Sequence, residues 1–126
     1  MTDRPRALSI TPLFIVSDLQ RSMDFYAKLA FGEPGVWGEP PCFAMMHRDE
    51  RELMLSLGEG DAGPRPNGNG IWDMYLRVTD VDAEMAALTA AGIPIDRGPT
   101  STEYDMKEIE VVDPDGFRVC FGQNLS

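Results

Sequence analysis

Acidic, basic and aromatic side chains alternate with apolar ones along the second half of this chain. Every second residue is polar in 72–79, 108–111 and 117–121, which is typical of strands with one buried face. The polar positions would therefore share the other face of one sheet. Carboxylates and phenols on such a face can bind a polar or cationic ligand. The candidate ligand-binding residues on this face are Asp73, Tyr75, Arg77, Glu108, Glu110, Arg118 and Cys120.

The two glutamates of this set allow two interpretations. Glu108 and Glu110 could act as a carboxylate pair in acid–base chemistry. Their spacing equally allows salt bridges with Arg77 and Arg118 across the sheet, and this interpretation is favoured. Cys120 would need an activating base to act as a nucleophile, so we expect a quiet, partly buried thiol.

Two further aromatic residues could stack on a ligand. Trp37 lies in a stretch rich in glycine and proline, residues 33–41, and Tyr104 precedes the second set of polar strands. Both are candidates for ring stacking. Trp72 alternates with apolar residues instead and is expected to be structural.

An internal repeat predicts the elements that position these residues. Residues 14–23 (FIVSDLQRSM) align with residues 76–85 (LRVTDVDAEM) at a constant offset of 62. In both copies a strand-like run ends at Ser/Thr-Asp, whose side chains can cap the first amides of a helix. Apolar residues then recur at helical spacing until Gly32 and Gly92, which are expected to end the two helices.

Short strands follow each predicted helix. They are expected at Cys42–His47, Glu52–Leu57, Met106–Val112 and Phe117–Phe121. The chain is therefore expected to be a single α+β domain, residues 1–126, built from two βαβββ modules at about residues 8–57 and 71–122. The glycine-rich residues 58–70 would be the linker.

Charge and composition disfavour several classes of function. Eleven Lys and Arg residues against 21 Asp and Glu residues give a net charge of −10. Such a field repels nucleic-acid phosphates and anionic lipids and attracts cations. The N-terminal residues do not resemble a signal peptide, and Cys42 and Cys120 suggest no disulfide framework. We therefore expect a cytoplasmic protein with a small-molecule partner, without nucleic-acid or membrane partners.

Four motifs carry a resemblance to a known superfamily. They are VSDLQRSMDFY at 16–26, VTDVD at 78–82, AGI at 91–93 and DPDG at 113–116. In their order and spacing the chain resembles the glyoxalase/bleomycin-resistance/extradiol-dioxygenase superfamily, also called vicinal oxygen chelate proteins. Residues 103–123 look most like its bleomycin-resistance branch. The resemblance implies two βαβββ modules whose eight strands form an incompletely closed barrel around a cavity, commonly in a homodimer.

Enzymes of this superfamily usually hold a divalent metal with His, Gln and Glu side chains. The resemblance places the matching positions of this chain at Thr11, Ser56, Asp73 and Cys120. That set has no imidazole and only one carboxylate, which suits neither zinc nor an oxygen-ligated ion. We therefore expect no metal and no other cofactor.

These observations favour a metal-independent protein of the bleomycin-resistance type that binds and sequesters a small, cationic and aromatic molecule. One alternative is a lyase, isomerase or dioxygenase of the same superfamily with a non-standard metal site. Another is a protein whose groove is occluded and that binds other proteins. The fold alone cannot choose between them, because one scaffold hosts several functions.

Overall fold

A computed structural model describes residues 3–126 of the chain. The elements in chain order are β1 (Leu13–Val16), α1 (Leu19–Lys28), β2 (Gly32–Trp37), β3 (Phe43–Arg48), β4 (Arg51–Leu57), β5 (Met74–Arg77), α2 (Val81–Ala90), β6 (Arg97–Ser101), β7 (Met106–Val112) and β8 (Arg118–Asn124). Each half thus has the order βαβββ, as predicted. Neither helix is long and apolar enough to cross a membrane.

Each module forms its own four-stranded sheet. The strand order is β1-β4-β3-β2 in module 1 and β5-β8-β7-β6 in module 2. The first strand of each module pairs in parallel with the last, and the other pairs are antiparallel. The two sheets share no hydrogen-bonded strand pair, so the eight strands of one chain do not close a barrel. The α+β class agrees with the sequence pattern, and the absence of a closed barrel agrees with what the family resemblance implied.

Capping aspartates begin both helices, as the repeat predicted. The Asp18 side chain accepts from the amide of Arg21, and the Asp80 side chain accepts from the amide of Ala83. Gly92 follows α2 with a φ of 80° and ends it in the way expected of a glycine. The prediction for Gly32 is wrong: α1 ends at Lys28, and Ala30 takes the left-handed conformation with a φ of 66°.

The edge strands β2 and β6 carry no clear strand pattern. Their sequences, GEPGVW and RGPTS, contain glycine and proline. Proline is tolerated at a sheet edge because one side of such a strand needs no ladder hydrogen bonds. Both strands are exposed and irregular, with a register shift in each pairing.

The core lies between the helices and one face of each sheet. It includes Val16, Leu53 and Leu55 of module 1 and Val119 and Phe121 of module 2, all fully buried. Because side chains alternate along a strand, the opposite face of each sheet faces away from the helices. We call these two surfaces the module 1 open face and the module 2 open face.

The modules are joined on the helix side. The Phe14 and Phe117 rings stack with centroids 4.2 Å apart. The Tyr26 hydroxyl donates to a buried Asp113 carboxylate oxygen at 2.7 Å. Arg48 donates to Glu84 of α2 at 2.7 Å. These contacts hold the two sheets side by side.

Candidate functional site

A buried glutamate lies at the centre of the module 2 open face. Glu108 of β7 is 6% exposed. The Tyr75 hydroxyl donates to its Oε2 at 2.8 Å, and the Tyr104 hydroxyl lies 3.0 Å and 2.9 Å from its two oxygens. Tyr75 reaches Glu108 by crossing β8 at Gly122, where a Cβ atom would collide with the tyrosine ring. Two candidate tyrosines, one from β5 and one from the turn before β7, therefore meet at the carboxylate of Glu108.

Both tyrosines remain hydrogen-bond donors at neutral pH. Burial and the hydrogen bond to Glu108 raise the pKa of Tyr75 far above its ordinary value. The hydrogen bond to the same carboxylate raises the pKa of Tyr104 as well. Within residues 3–126, no arginine or lysine forms a salt bridge with Glu108. The carboxylate is thus held by neutral donors alone.

Glu110, two residues along the same strand, has cationic partners. Its Oε1 lies 3.2 Å from Arg118 and 3.6 Å from Arg97. Arg118 also bonds Asp96 at 2.6 Å, which raises the pKa of its guanidinium. The expected bridge from the glutamates to Arg118 is therefore present, but Arg77 is exposed and has no salt-bridge partner in the described chain.

Asp73 uses both of its carboxylate oxygens on backbone amides. One oxygen accepts from the Asn67 amide at 2.6 Å and the other from the Arg118 amide at 2.9 Å. The aspartate thus fastens the linker to the start of β8. Next to it, Trp72 is only half-buried and packs on Tyr75, with ring centroids 5.1 Å apart. The alternation pattern assigned this ring to the core, and its contact with the tyrosine could not be read from the sequence.

Cys120 lies on the same face below these rings and is fully buried. Burial, with smaller contributions from Glu108 and Glu110, raises the pKa of its thiol to about 12. A thiol with this pKa stays protonated at neutral pH and is a poor nucleophile.

The module 1 open face is apolar by contrast. The register places Ile15, Ser56, Phe43 and Trp37 in one row across the sheet. A second row of this face contains Leu13, Met54, Met45 and Gly35. Trp37 is 53% exposed, packs edge-on against Phe43 with centroids 5.6 Å apart, and extends over Gly35.

Register also identifies the true counterpart of Cys120. Tyr75 pairs with Cys120, and Leu13, which is 62 residues before Tyr75, pairs with Met54. Met54, and not Ser56, therefore occupies the position in module 1 equivalent to Cys120. A shift of two residues preserves the alternating pattern, so the pattern alone could not detect it.

The residues at the family's metal positions do not fit a metal ion. Thr11 donates to Glu52 at 3.1 Å, Asp73 is bonded to two amides, and the Cys120 thiol is protonated and buried. A metal ion here would need a thiolate at Cys120 and would share both Asp73 oxygens with backbone amides, and the set offers no imidazole. No group of three or more His, Cys, Asp and Glu side chains that could hold an ion lies within residues 3–126.

A cleft of about 890 Å³ lies between the modules and is bordered by β5, by α2 and by the end of α1. Tyr75 and Arg77 of β5 line one side of it. Pro12, Phe31 and Glu52 of module 1 line the other. The cleft thus borders two of the candidate residues, whereas Glu108 and Tyr104 do not line it.

Comparisons with known proteins agree with this architecture. Over residues 9–121 the sequence matches the family model described as the glyoxalase/bleomycin resistance protein/dioxygenase superfamily. Among curated proteins, none matches this sequence.

Solved structures similar to this chain include both binding proteins and an enzyme. TnmS3, an antibiotic-binding protein from Streptomyces sp. CB03234, is 25% identical with a TM-score of 0.73, over 96% of this chain and 98% of that one. A bleomycin-binding protein complexed with bleomycin is 21% identical with a TM-score of 0.71, over 94% and 99% of the two chains. Lactoylglutathione lyase from Agrobacterium tumefaciens is 16% identical with a TM-score of 0.72, over 95% and 96%.

The matched segment extends from before β1 into β8 and so includes nearly all of both modules, and the paired βαβββ topology agrees with the match. The chain belongs to the glyoxalase/bleomycin resistance protein/dioxygenase superfamily.

Proposed function

We propose that this protein binds and sequesters a small cationic molecule on the module 2 open face, without a metal ion and without covalent chemistry. The observation that carries the proposal is Glu108, a buried carboxylate whose hydrogen bonds come from two tyrosine hydroxyls. A protonated amine or guanidinium in place of one hydroxyl would make a stronger, charge-assisted hydrogen bond.

Aromatic rings around the carboxylate favour the same class of ligand. Tyr75 packs against Trp72, and Tyr104 lies on the exposed turn between β6 and β7. Ring faces attract cations, most strongly where water is excluded. Because Tyr104 is 58% exposed while the carboxylate below it is buried, we propose that its ring swings aside when a ligand enters.

The similar structures support a binding protein of this type. TnmS3 is an antibiotic-binding protein, and another similar structure holds bleomycin. Bleomycin is therefore a suitable first probe, and antibiotic resistance is the role we propose for sequestration. Of the remaining candidates, Trp37 and Ser56 lie on the module 1 open face, and Thr11 precedes β1 and donates to Glu52. We propose that they contact a ligand only if it extends from Glu108 to module 1.

We further propose that the protein is a homodimer that works in the cytoplasm. The support for a dimer is the module 1 open face, where Leu13 and Trp37 are each about half exposed. A symmetric second copy can cover such a surface. Both cysteines are free, in keeping with a reducing compartment.

Calorimetric titration with metal-free bleomycin tests the binding proposal. We expect saturable binding by the wild-type protein and weakening by about 1–3 kcal/mol, or about 5- to 150-fold, in Glu108→Gln. The matched control is Glu103→Gln, which removes an exposed carboxylate near Tyr104. Equal affinities of wild type and Glu108→Gln would contradict the proposed site.

The alternative is a lyase, isomerase or dioxygenase with a non-standard metal site. The similarity to lactoylglutathione lyase is compatible with it at the level of the fold. Both Asp73 oxygens already accept hydrogen bonds from backbone amides, and burial raises the pKa of the Cys120 thiol. Both observations disfavour the family-type ligand set. About one divalent ion per chain in elemental analysis of the purified protein would favour the enzyme.

A further inference from the structure

Arg77 and Glu108 lie in one row across the module 2 open face. The Cα register pairs Arg77 of β5 with Gly122 of β8, and Gly122 with Glu108 of β7. Side chains of one row point to the same side of a sheet. Two strand spacings separate the Cα atoms of Arg77 and Glu108, which is roughly 10 Å. The row therefore holds a cation at its edge and a buried carboxylate two strands away, with no side chain on the glycine between them.

Neither of these two charges is neutralised by an ion pair. Arg77 is exposed and forms no salt bridge within residues 3–126, and Glu108 is held by two tyrosine hydroxyls. The acidic residues that flank Arg77 along the chain are already engaged. Asp73 accepts from two backbone amides, and Asp80 caps α2. Although the chain has 21 acidic residues against 11 basic ones, the Arg77 guanidinium is thus available to a ligand.

Tyr75 keeps the arginine and the carboxylate apart. Its side chain crosses β8 at Gly122, where a Cβ atom would collide with the tyrosine, and its hydroxyl bonds Glu108 at 2.8 Å. The ring therefore occupies the space above the glycine that the Arg77 side chain would need to reach Glu108. An ion pair between Arg77 and Glu108 would compensate the buried charge within the chain. The tyrosine replaces it and leaves both charged groups open to outside partners.

We propose that the ligand of this site is a zwitterion with an aromatic middle. Its protonated amine would bond Glu108, its carboxylate would bond Arg77, and the segment between them would lie on the Tyr75 ring. A guanidinium suits a carboxylate because its planar fork offers two parallel N–H donors. This inference rests on the proposed function, since it takes Glu108 as the cation-binding group and adds Arg77 as a second anchor.

The spacing within the row also limits the size of the ligand. An extended peptide spans at most about 3.3–3.6 Å per residue, so two or three residues cover the roughly 10 Å between the anchoring Cα atoms. Trp72 and Tyr75 pack together on this side of the sheet, with ring centroids 5.1 Å apart. An aromatic side chain in the middle of a short peptide can stack on them. A tripeptide with free ends and a central aromatic residue therefore has the required groups in the required order.

Calorimetric titration with glycyl-phenylalanyl-glycine and with its C-terminal amide tests the inference, because the two peptides differ only in the carboxylate. We expect wild type to bind the free acid about 5- to 10-fold more tightly than the amide. The overall charge of −10 favours the amide, which carries the larger positive charge, so the opposite preference requires a local cation. Arg77→Gln should bind the two peptides within about twofold, and Arg77→Lys should retain part of the preference. Glu108→Gln should weaken both peptides by a similar factor.

The matched control is Arg65→Gln, which removes an exposed arginine of the linker and should leave the preference unchanged. Because Arg77 makes no salt bridge, its variants should fold like wild type, which circular dichroism checks. Amide binding that depends on Glu108, with no preference for the free acid or with one that survives Arg77→Gln, would overturn the zwitterion and leave the cation site standing. The same holds if bleomycin binds in a Glu108-dependent manner and neither peptide does. If neither the peptides nor bleomycin bind, both proposals are wrong.

Discussion

Glu108 and Glu110 lie two positions apart on one strand and have opposite surroundings. Glu110 is neutralised by Arg118 and Arg97, whereas Glu108 is bonded by Tyr75 and Tyr104. A buried carboxylate without a cation is costly unless hydrogen bonds or a ligand compensate it. The difference makes Glu108, and not Glu110, the ligand-binding carboxylate of the proposed function.

The raised pKa of Cys120 predicts that its thiol reacts slowly in the folded protein. Because its thiol has a pKa of about 12 and is fully buried, Ellman's reagent at mildly alkaline pH should modify only one of the two cysteines in the native protein. That cysteine should be Cys42, which is half-buried. In denaturant both should react.

A Cys42→Ser variant provides the control. Its remaining thiol should stay unmodified in the native protein and react fully after unfolding. Rapid native modification of this variant would mean that Cys120 is accessible and its thiolate stabilised, contrary to the structure.

At the scale of elements, the repeat predicted most of the fold. Strand runs followed by Asp18 and Asp80 located both helices, because a capping side chain and helical periodicity are local signals. The edge strands β2 and β6 carry no such signal, since their glycines and prolines are those of a loop. The partners of Glu108 depend on strand register and on a turn, which alternation alone does not specify.

The sequence also did not indicate the contact between α1 and the turn before β8. Tyr26 and Asp113 are 87 residues apart, yet their side chains form a buried hydrogen bond of 2.7 Å. Burial raises the pKa of Asp113, while the hydrogen bonds from Tyr26 and from the Phe117 and Asp115 amides oppose this rise. The pair therefore links the two modules, and the hydrogen bonds to Asp113 offset the cost of burying its charge.

We expect Tyr26→Phe to lower the free energy of unfolding by about 1–3 kcal/mol, because it leaves a buried carboxylate oxygen without its donor. Urea denaturation followed by circular dichroism measures the change. Asp24→Asn alters an exposed hydrogen bond on the same helix and should cost far less. If both variants unfolded at the same urea concentration as wild type, the Tyr26–Asp113 bond would not stabilise the protein.

At the scale of the whole molecule, surface charge and the local site act on different steps of binding. The net charge of −10 acts over distances comparable to the screening length of the solution. A field of this sign steers cations toward the surface and raises association rates. In the proposed complex the hydrogen bond to Glu108 acts only at contact, so we expect it to determine how long the ligand stays bound.

Stopped-flow measurements with bleomycin should separate these two effects. We expect the association rate constant to fall by about tenfold between low and physiological ionic strength, with little change in the dissociation rate. Glu108→Gln should do the reverse, raising the dissociation rate while leaving the salt dependence of association almost unchanged, because it removes only one of 21 acidic residues. Association that ignores salt would contradict electrostatic steering, and a dissociation rate that ignores Glu108→Gln would place the ligand elsewhere on the molecule.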